Sequence, residues 1–80
     1  MKLAALLARI RTQRRNVRFS DFIALLKAFG FEYDHQSGSH IFYRHACGAV
    51  LNIQNSGGDA KPYQIAQLLS AVDSYGLKLK

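Results

Sequence analysis

Hydrophobic residues recur at helical spacing in three segments of the chain. Leucines and isoleucines three and four positions apart predict a first helix near the start of the sequence. Ser20 is placed to cap a second helix, with Asp21 in its first turn and Gly30 at its end. Pro62 in a first turn and Gly76 as a stop delimit a third helix. The apolar positions are Leu3, Leu6, Leu7 and Ile10; Phe22, Ile23, Leu25, Leu26 and Phe29; and Ile65, Leu68, Leu69 and Val72.

Between the second and third helices the apolar period changes to two, which is the repeat of a β-strand. Phe31 and Tyr33 alternate with acidic residues, and a turn over 36–39 separates them from a second strand over 40–44. These two runs predict a hairpin. A third strand is expected over 49–54, with burial at Val50, Leu51 and Ile53, and a loop over 55–59.

The order helix, helix, three strands, helix predicts an α+β fold. A three-stranded antiparallel sheet would carry helices on one face and leave its other face accessible. Side chains alternate along a strand, so residues 40–45 divide between the two faces. The sets are His40, Phe42 and Arg44, and Ile41, Tyr43 and His45. Alternation alone does not decide whether Phe42 or Tyr43 lies outside the core, where it could stack on an unpaired base.

The length and composition predict one domain over residues 1–80, with 1–19 as an N-terminal basic helical extension. A chain of this size buries only about 60 to 65% of its unfolded surface, too little for two independent cores. The single Cys47 cannot form an internal disulfide, which suits a reducing cytoplasm. Arg9 and Arg11 interrupt the first apolar run too early for a signal peptide, and no run is long enough to cross a membrane.

The charge balance predicts a polyanionic partner. Eleven Lys and Arg residues face five Asp and Glu residues, for a net charge of +6. No acid occurs among the first eighteen residues, and the segment 12–18 has two interpretations, a solvated basic linker or a nucleic-acid contact. The basic residues of this N-terminal part are Lys2, Arg9, Arg11, Arg14, Arg15 and Arg18.

Five short motifs follow one another between residues 20 and 77. They are the run 22–32, Gly38-Ser39-His40, the run 42–45, Lys61-Pro62 and Leu68-Leu69. Each is weak alone, but their order and spacing on a helix, a hairpin and a final helix are specific. This succession resembles the HicA family of toxins from prokaryotic toxin–antitoxin pairs. The resemblance implies a fold like a double-stranded-RNA-binding domain, mRNA cleavage, and a HicB-type antitoxin as partner.

The resemblance also implies roles for individual residues. The family's catalytic histidine falls on His40, and its Gly-Ser lead-in falls on Gly38 and Ser39, which we count with the RNA-binding residues. Ile41 stands where members often have a second histidine, and Tyr63-Gln64 replaces the more common Gly-Thr after Lys-Pro. No metal or cofactor is implied, because RNA supplies its own nucleophile, the 2′-OH. Candidates for phosphate contact, or alternatively solvated surface cations, are Lys27, Arg44 and Lys61.

Other patterns indicate weaker alternatives. His35, His40 and His45 lie five residues apart with Cys47 close by, which suggests zinc, but no ligand pair has the spacing of a structural site. A cysteine–histidine nucleophile lacks an orienting third group. The Gly57-Gly58 loop lacks the lysine of a phosphate-binding loop. Two function classes remain, a metal-independent endoribonuclease toxin using His40 and a non-catalytic RNA-binding module on the same fold.

Overall fold

The computed structural model describes residues 2–80, which form three helices and five strands. Helix α1 and strand β1 precede α2, three strands follow in succession, and β5 leads into α3. Within residues 2–80, no helix is both long and apolar enough to span a membrane. The elements are α1 (Leu3–Ile10), β1 (Val17–Arg18), α2 (Phe19–Phe29), β2 (Glu32–Ser37), β3 (His40–Arg44), β4 (Val50–Ile53), β5 (Asp59–Ala60) and α3 (Pro62–Tyr75).

The main sheet is antiparallel with strand order β2-β3-β4, as the sequence predicted. Gly38 and Ser39 form the two-residue turn between β2 and β3, and Gly38 has a positive φ of 60°. Such turns need left-handed backbone, which glycine adopts without steric cost. The pairing continues with Phe42 opposite Asn52, and a bulge at Asp34 shifts the register of β2.

One continuous hydrophobic core lies between the main sheet and the helices. Helix α1 belongs to it, because Leu6 and Ile10 are almost fully buried. The inner face of the sheet contributes Tyr43, Leu51 and Ile53. The α+β class, the three-stranded antiparallel sheet and the additional N-terminal helix are therefore confirmed. The remaining buried hydrophobic residues are Val17, Phe22, Leu25, Leu26, Phe29, Phe31, Ala49, Ala60, Ile65, Leu68, Leu69 and Val72.

A second, two-stranded sheet corrects the prediction for two segments. Residues 12–18 were expected to be a connector and 55–59 a loop, but β1 pairs with β5 between Val17 and Ala60 and between Arg18 and Asp59. Both apolar members of this pair are buried. The pairing therefore fastens the start of α2 to the start of α3. Two-residue strands have no period from which they could be recognised.

The start of α2 also differs from the prediction. Arg18, and not Ser20, occupies the N-cap position, and it makes no side-chain capping bond because it is extended and paired in β1. The first free helical N–H, that of Phe19, donates instead to the carbonyl oxygen of Gly58 at 2.8 Å. Helix α2 ends as predicted, with Gly30 in the left-handed conformation.

Two strand details were also wrong. Val50 was expected to be buried, but it lies on the solvent side of β4 and is 48% exposed. Strand β2 extends to Ser37, so that residues 36 and 37, which were assigned to the turn, are paired. The bulge at Asp34 explains part of this difference, because it breaks the strict alternation from which the strand was predicted.

Candidate functional site

The face of the main sheet that points away from the helices carries most of the polar side chains. We call this the outer face and define it by His35, His40, Phe42, Arg44, Val50, Asn52 and Gln54. It follows from the burial of the alternating residues Ile41, Tyr43, Leu51 and Ile53 on the other side. His40 is exposed at the first position of β3, next to the Gly38-Ser39 turn. The alternation that Phe42 and Tyr43 left open is resolved, since Tyr43 is buried.

Two side-chain amides surround the imidazole of His40. Nδ1 lies 3.1 Å from Oδ1 of Asn52 and 3.1 Å from Nε2 of Gln54. Nε2 of the ring is 3.5 Å from the same Gln54 nitrogen. A protonated Nδ1 donates to Asn52, whereas an unprotonated Nδ1 accepts from Gln54, so the two bonds exclude each other. The choice of partner therefore sets which ring nitrogen is free to accept a proton.

Gln54 is connected to the first turn of α3. Its carbonyl oxygen accepts a hydrogen bond of 3.1 Å from Nε2 of Gln64, which is fully buried. The same Nε2 lies 3.4 Å from the hydroxyl oxygen of Tyr63, while Oε1 of Gln64 has no partner among the described residues. Tyr63-Gln64, the departure from the common family motif, thus supports the amide beside His40.

A stacked pair of rings lies farther along the outer face. The rings of His35 and Phe42 are parallel to within 8°, with centroids 4.4 Å apart. Nδ1 of His35 is 2.8 Å from Oδ2 of Asp34, and Arg44 approaches the same oxygen at 3.6 Å. The hydrogen bond with His35, and then the charge of Arg44, lower the pKa of Asp34. The carboxylate therefore holds the imidazole in place over Phe42.

The structure brings some of the predicted RNA-binding residues together. Gly38 and Ser39 adjoin His40 directly, and Arg44 lies on the same face of β3. Lys61 is exposed at the N-cap of α3, where its carbonyl oxygen accepts the N–H of Gln64. Lys27 is exposed in the last turn of α2, on the layer behind the sheet, and within residues 2–80 no hydrogen bond or ion pair joins it to the outer face.

His45 and Cys47 lie apart from the outer face. Nε2 of His45 is 3.0 Å from the carbonyl oxygen of Phe29, and Nδ1 accepts the N–H of Cys47 at 2.9 Å. His45 thus ties the end of β3 to the end of α2, and a Cβ on Gly30 would lie 3.0 Å from its Nε2. In the part of the chain that the structure describes, no three His, Cys, Asp or Glu residues cluster as a metal site would require.

The N-terminal arginines are not equally available to a ligand. Arg11 makes a bidentate pair with Asp73, at 3.1 and 3.2 Å, and this hydrogen bonding raises the pKa of Arg11. Arg9 donates to the carbonyl oxygen of Asn16 at 3.1 Å. Arg14 and Arg15 are exposed on the segment before β1. The segment 12–18 therefore serves as both connector and strand, with a basic exposed stretch.

Asn52 and Gln54 were missed as site residues by the sequence analysis. The available signal was their position, since both are polar and alternate with Leu51 and Ile53 on the third predicted strand. Identifying them as neighbours of His40 required the register between β3 and β4, and the sequence pattern does not specify that register.

The comparisons with known proteins agree with this arrangement. A family model described as the HicA toxin of bacterial toxin–antitoxin matches residues 19–73, from the first residue of α2 into the last turns of α3. Neither a curated protein nor a solved structure matches the chain. The family match covers well over half of the 80 residues and includes the whole main sheet with His40. The chain therefore belongs to the HicA family of toxins of bacterial toxin–antitoxin systems.

Proposed function

We propose that this toxin is an endoribonuclease that cleaves mRNA without a metal ion, with His40 as its catalytic residue. The observation that carries the proposal is the placement of His40: an exposed imidazole on the open side of the sheet, with Nδ1 in contact with two amides. The rest of the imidazole is accessible to a ligand. A positively charged chain of this size attracts RNA over a long range.

The reaction follows from the tautomer that Asn52 favours. When Nδ1–H donates to Oδ1 of Asn52, Nε2 holds a lone pair and accepts the proton of a ribose 2′-OH. The 2′ oxygen then bonds to the adjacent phosphorus, the bond from phosphorus to the 5′ oxygen breaks, and that oxygen receives a proton from the imidazolium or from water. The products are a 2′,3′-cyclic phosphate and a 5′-hydroxyl end.

Nearby cations would stabilise the charge that develops on the phosphate. Arg44 on the outer face and Lys61 at the start of α3 are the predicted residues closest in the fold to His40. The Gly38-Ser39 turn leaves room for the RNA backbone next to the imidazole, because neither residue has a large side chain. Lys27 stays a prediction for a more distant phosphate contact.

The experiment is RNA cleavage by purified protein in the presence of a chelator. We expect His40→Ala to reduce the rate at least about 100-fold, in line with loss of a general base. Lys78→Ala, an exposed change outside the family match, should retain the parent's rate. Circular dichroism should show the same fold in all three proteins.

Two outcomes would contradict the proposal in different ways. Cleavage by His40→Ala at the parent's rate would show that His40 is not catalytic. A parent that binds RNA without cutting it would favour the alternative, a non-catalytic RNA-binding module.

We further propose that a HicB-type antitoxin inhibits the toxin by covering His40. An acidic partner would be attracted to the net charge of +6 and would place its carboxylates where RNA phosphates bind. In a purified complex, diethyl pyrocarbonate should modify His40 more slowly than in the free toxin, as followed by mass spectrometry of the peptide. Equal rates in the two preparations would show that the antitoxin acts at another surface.

A further inference from the structure

The stacked pair formed by His35 and Phe42 has a geometry that the catalytic proposal does not use. The His35 side chain is 58% exposed although one of its ring faces lies against Phe42, so the opposite ring face is open to solvent. The bond to Asp34 prevents free rotation of the imidazole. A flat ring held parallel to the ring beneath it offers a surface on which another flat ring can stack.

We propose that the exposed face of His35 is a binding subsite for one unpaired nucleobase of the substrate. This inference rests on the proposed function, because it places the base next to the nucleotide cut by His40. Phe42 and His40 are two residues apart on the same side of β3, a separation of about 7 Å along the strand. A base on His35 therefore belongs to a neighbouring nucleotide.

The charges around the stack fit a nucleic acid. Arg44 lies beside Asp34 at 3.6 Å, far enough from an ideal ion pair to turn toward a phosphate when RNA is bound. Bases stack on exposed aromatic rings in many proteins that bind single strands, and such stacking tolerates any base because every base has a π-face. The subsite should accordingly contribute affinity with little sequence preference.

The test measures binding separately from cleavage. In a His40→Ala background, a fluorescein-labelled single-stranded RNA of about a dozen nucleotides is titrated by fluorescence polarisation. We expect His35→Ala to weaken binding about 5- to 100-fold, the range for removing one base–aromatic stack. His35→Phe keeps a flat ring and should bind within about threefold of its parent. Tyr75→Ala, which removes an aromatic residue that is 52% exposed on α3, should not change the affinity.

A second probe reports the stacking itself. RNA carrying 2-aminopurine should lose fluorescence on binding to the parent and to His35→Phe, but not to His35→Ala. Unchanged affinity and unchanged quenching in folded His35→Ala would overturn the subsite, whatever the cleavage assay shows. If the wild-type toxin neither cleaved nor bound RNA, the proposed function would fail as well. A His35→Ala variant that lost only antitoxin binding would identify the stack as a protein contact and overturn the nucleobase subsite.

Discussion

Replacement of Gln64 by leucine should raise stability and lower activity. Gln64 is fully buried in the first turn of α3, and its Oε1 has no hydrogen-bond partner among the described residues. Burying such a group without a partner costs about 1 to 3 kcal/mol. Leucine has a similar volume and no polar atom, so Gln64→Leu removes that cost while it keeps the site filled.

The substitution also removes a favourable interaction. Nε2 of Gln64 donates to the carbonyl oxygen of Gln54 at 3.1 Å, a bond that contributes about 1 kcal/mol. Gln54 is only half-buried, so water can replace the missing donor. The difference leaves a net gain of about 1 kcal/mol, which corresponds to a rise in Tm of about 4 to 8 °C for a domain of this size.

The cost should appear in catalysis. The amide of Gln54 contacts both ring nitrogens of His40, and its main chain would lose the bond to α3. We therefore expect the rate of RNA cleavage to fall severalfold while Tm rises. Small stabilising changes next to a functional site often carry this cost.

Thermal unfolding by circular dichroism and the cleavage assay measure the two effects. Gln67→Leu is the matched control, because it makes the same replacement at an exposed position of α3 and should alter neither quantity appreciably. A fall in Tm by more than about 4 °C for Gln64→Leu would refute the energetic reasoning, since it would mean that the buried amide is fully satisfied. Unchanged cleavage would refute the link between α3 and His40.

Two further predictions concern the backbone and the charge. Gly30→Ala should lower Tm more than Gly48→Ala does: both glycines have φ near +100°, but only at Gly30 would the new methyl group meet an imidazole, at 3.0 Å. Equal decreases would mean that the imidazole moves aside freely. Neutralising Arg14 and Arg15 to glutamine should flatten the salt dependence of RNA binding by close to one unit of slope for each phosphate that the variant no longer neutralises, and Arg11→Gln should change it less because of its pair with Asp73. An unchanged slope for the double variant would identify this segment as a bystander.

Helices were predictable from the sequence because their signals are local. Gly30 and Gly76 end α2 and α3 in the left-handed conformation, and Pro62 begins α3, as expected. The short strands β1 and β5 were not predictable, because a pair of two-residue strands is defined by its partner and not by its own pattern. The start of α2 depended on that pair and was therefore placed incorrectly.

The site was predictable only in part, for a related reason. His40 and its Gly-Ser turn come from a contiguous motif, so the resemblance found them. Asn52 and Gln54 reach His40 through the register of β3 and β4, and Gln64 does so through the packing of α3. His35 was considered only as a zinc ligand, because its stacking on Phe42 depends on pairing across the bulge in β2.

Strand β3 separates the requirements of folding from those of function. Its inner residue Tyr43 is buried, and burial followed by the nearby Tyr33 raises the pKa of Tyr43, so the neutral side chain belongs to the core. Its outer residues His40 and Arg44 are exposed, and substitutions at exposed positions cost little stability. Changes on the outer face can therefore alter RNA binding or antitoxin recognition while the fold persists. Gln64 is the exception, because this buried residue supports the outer face from within the core, and there stability and activity should oppose each other.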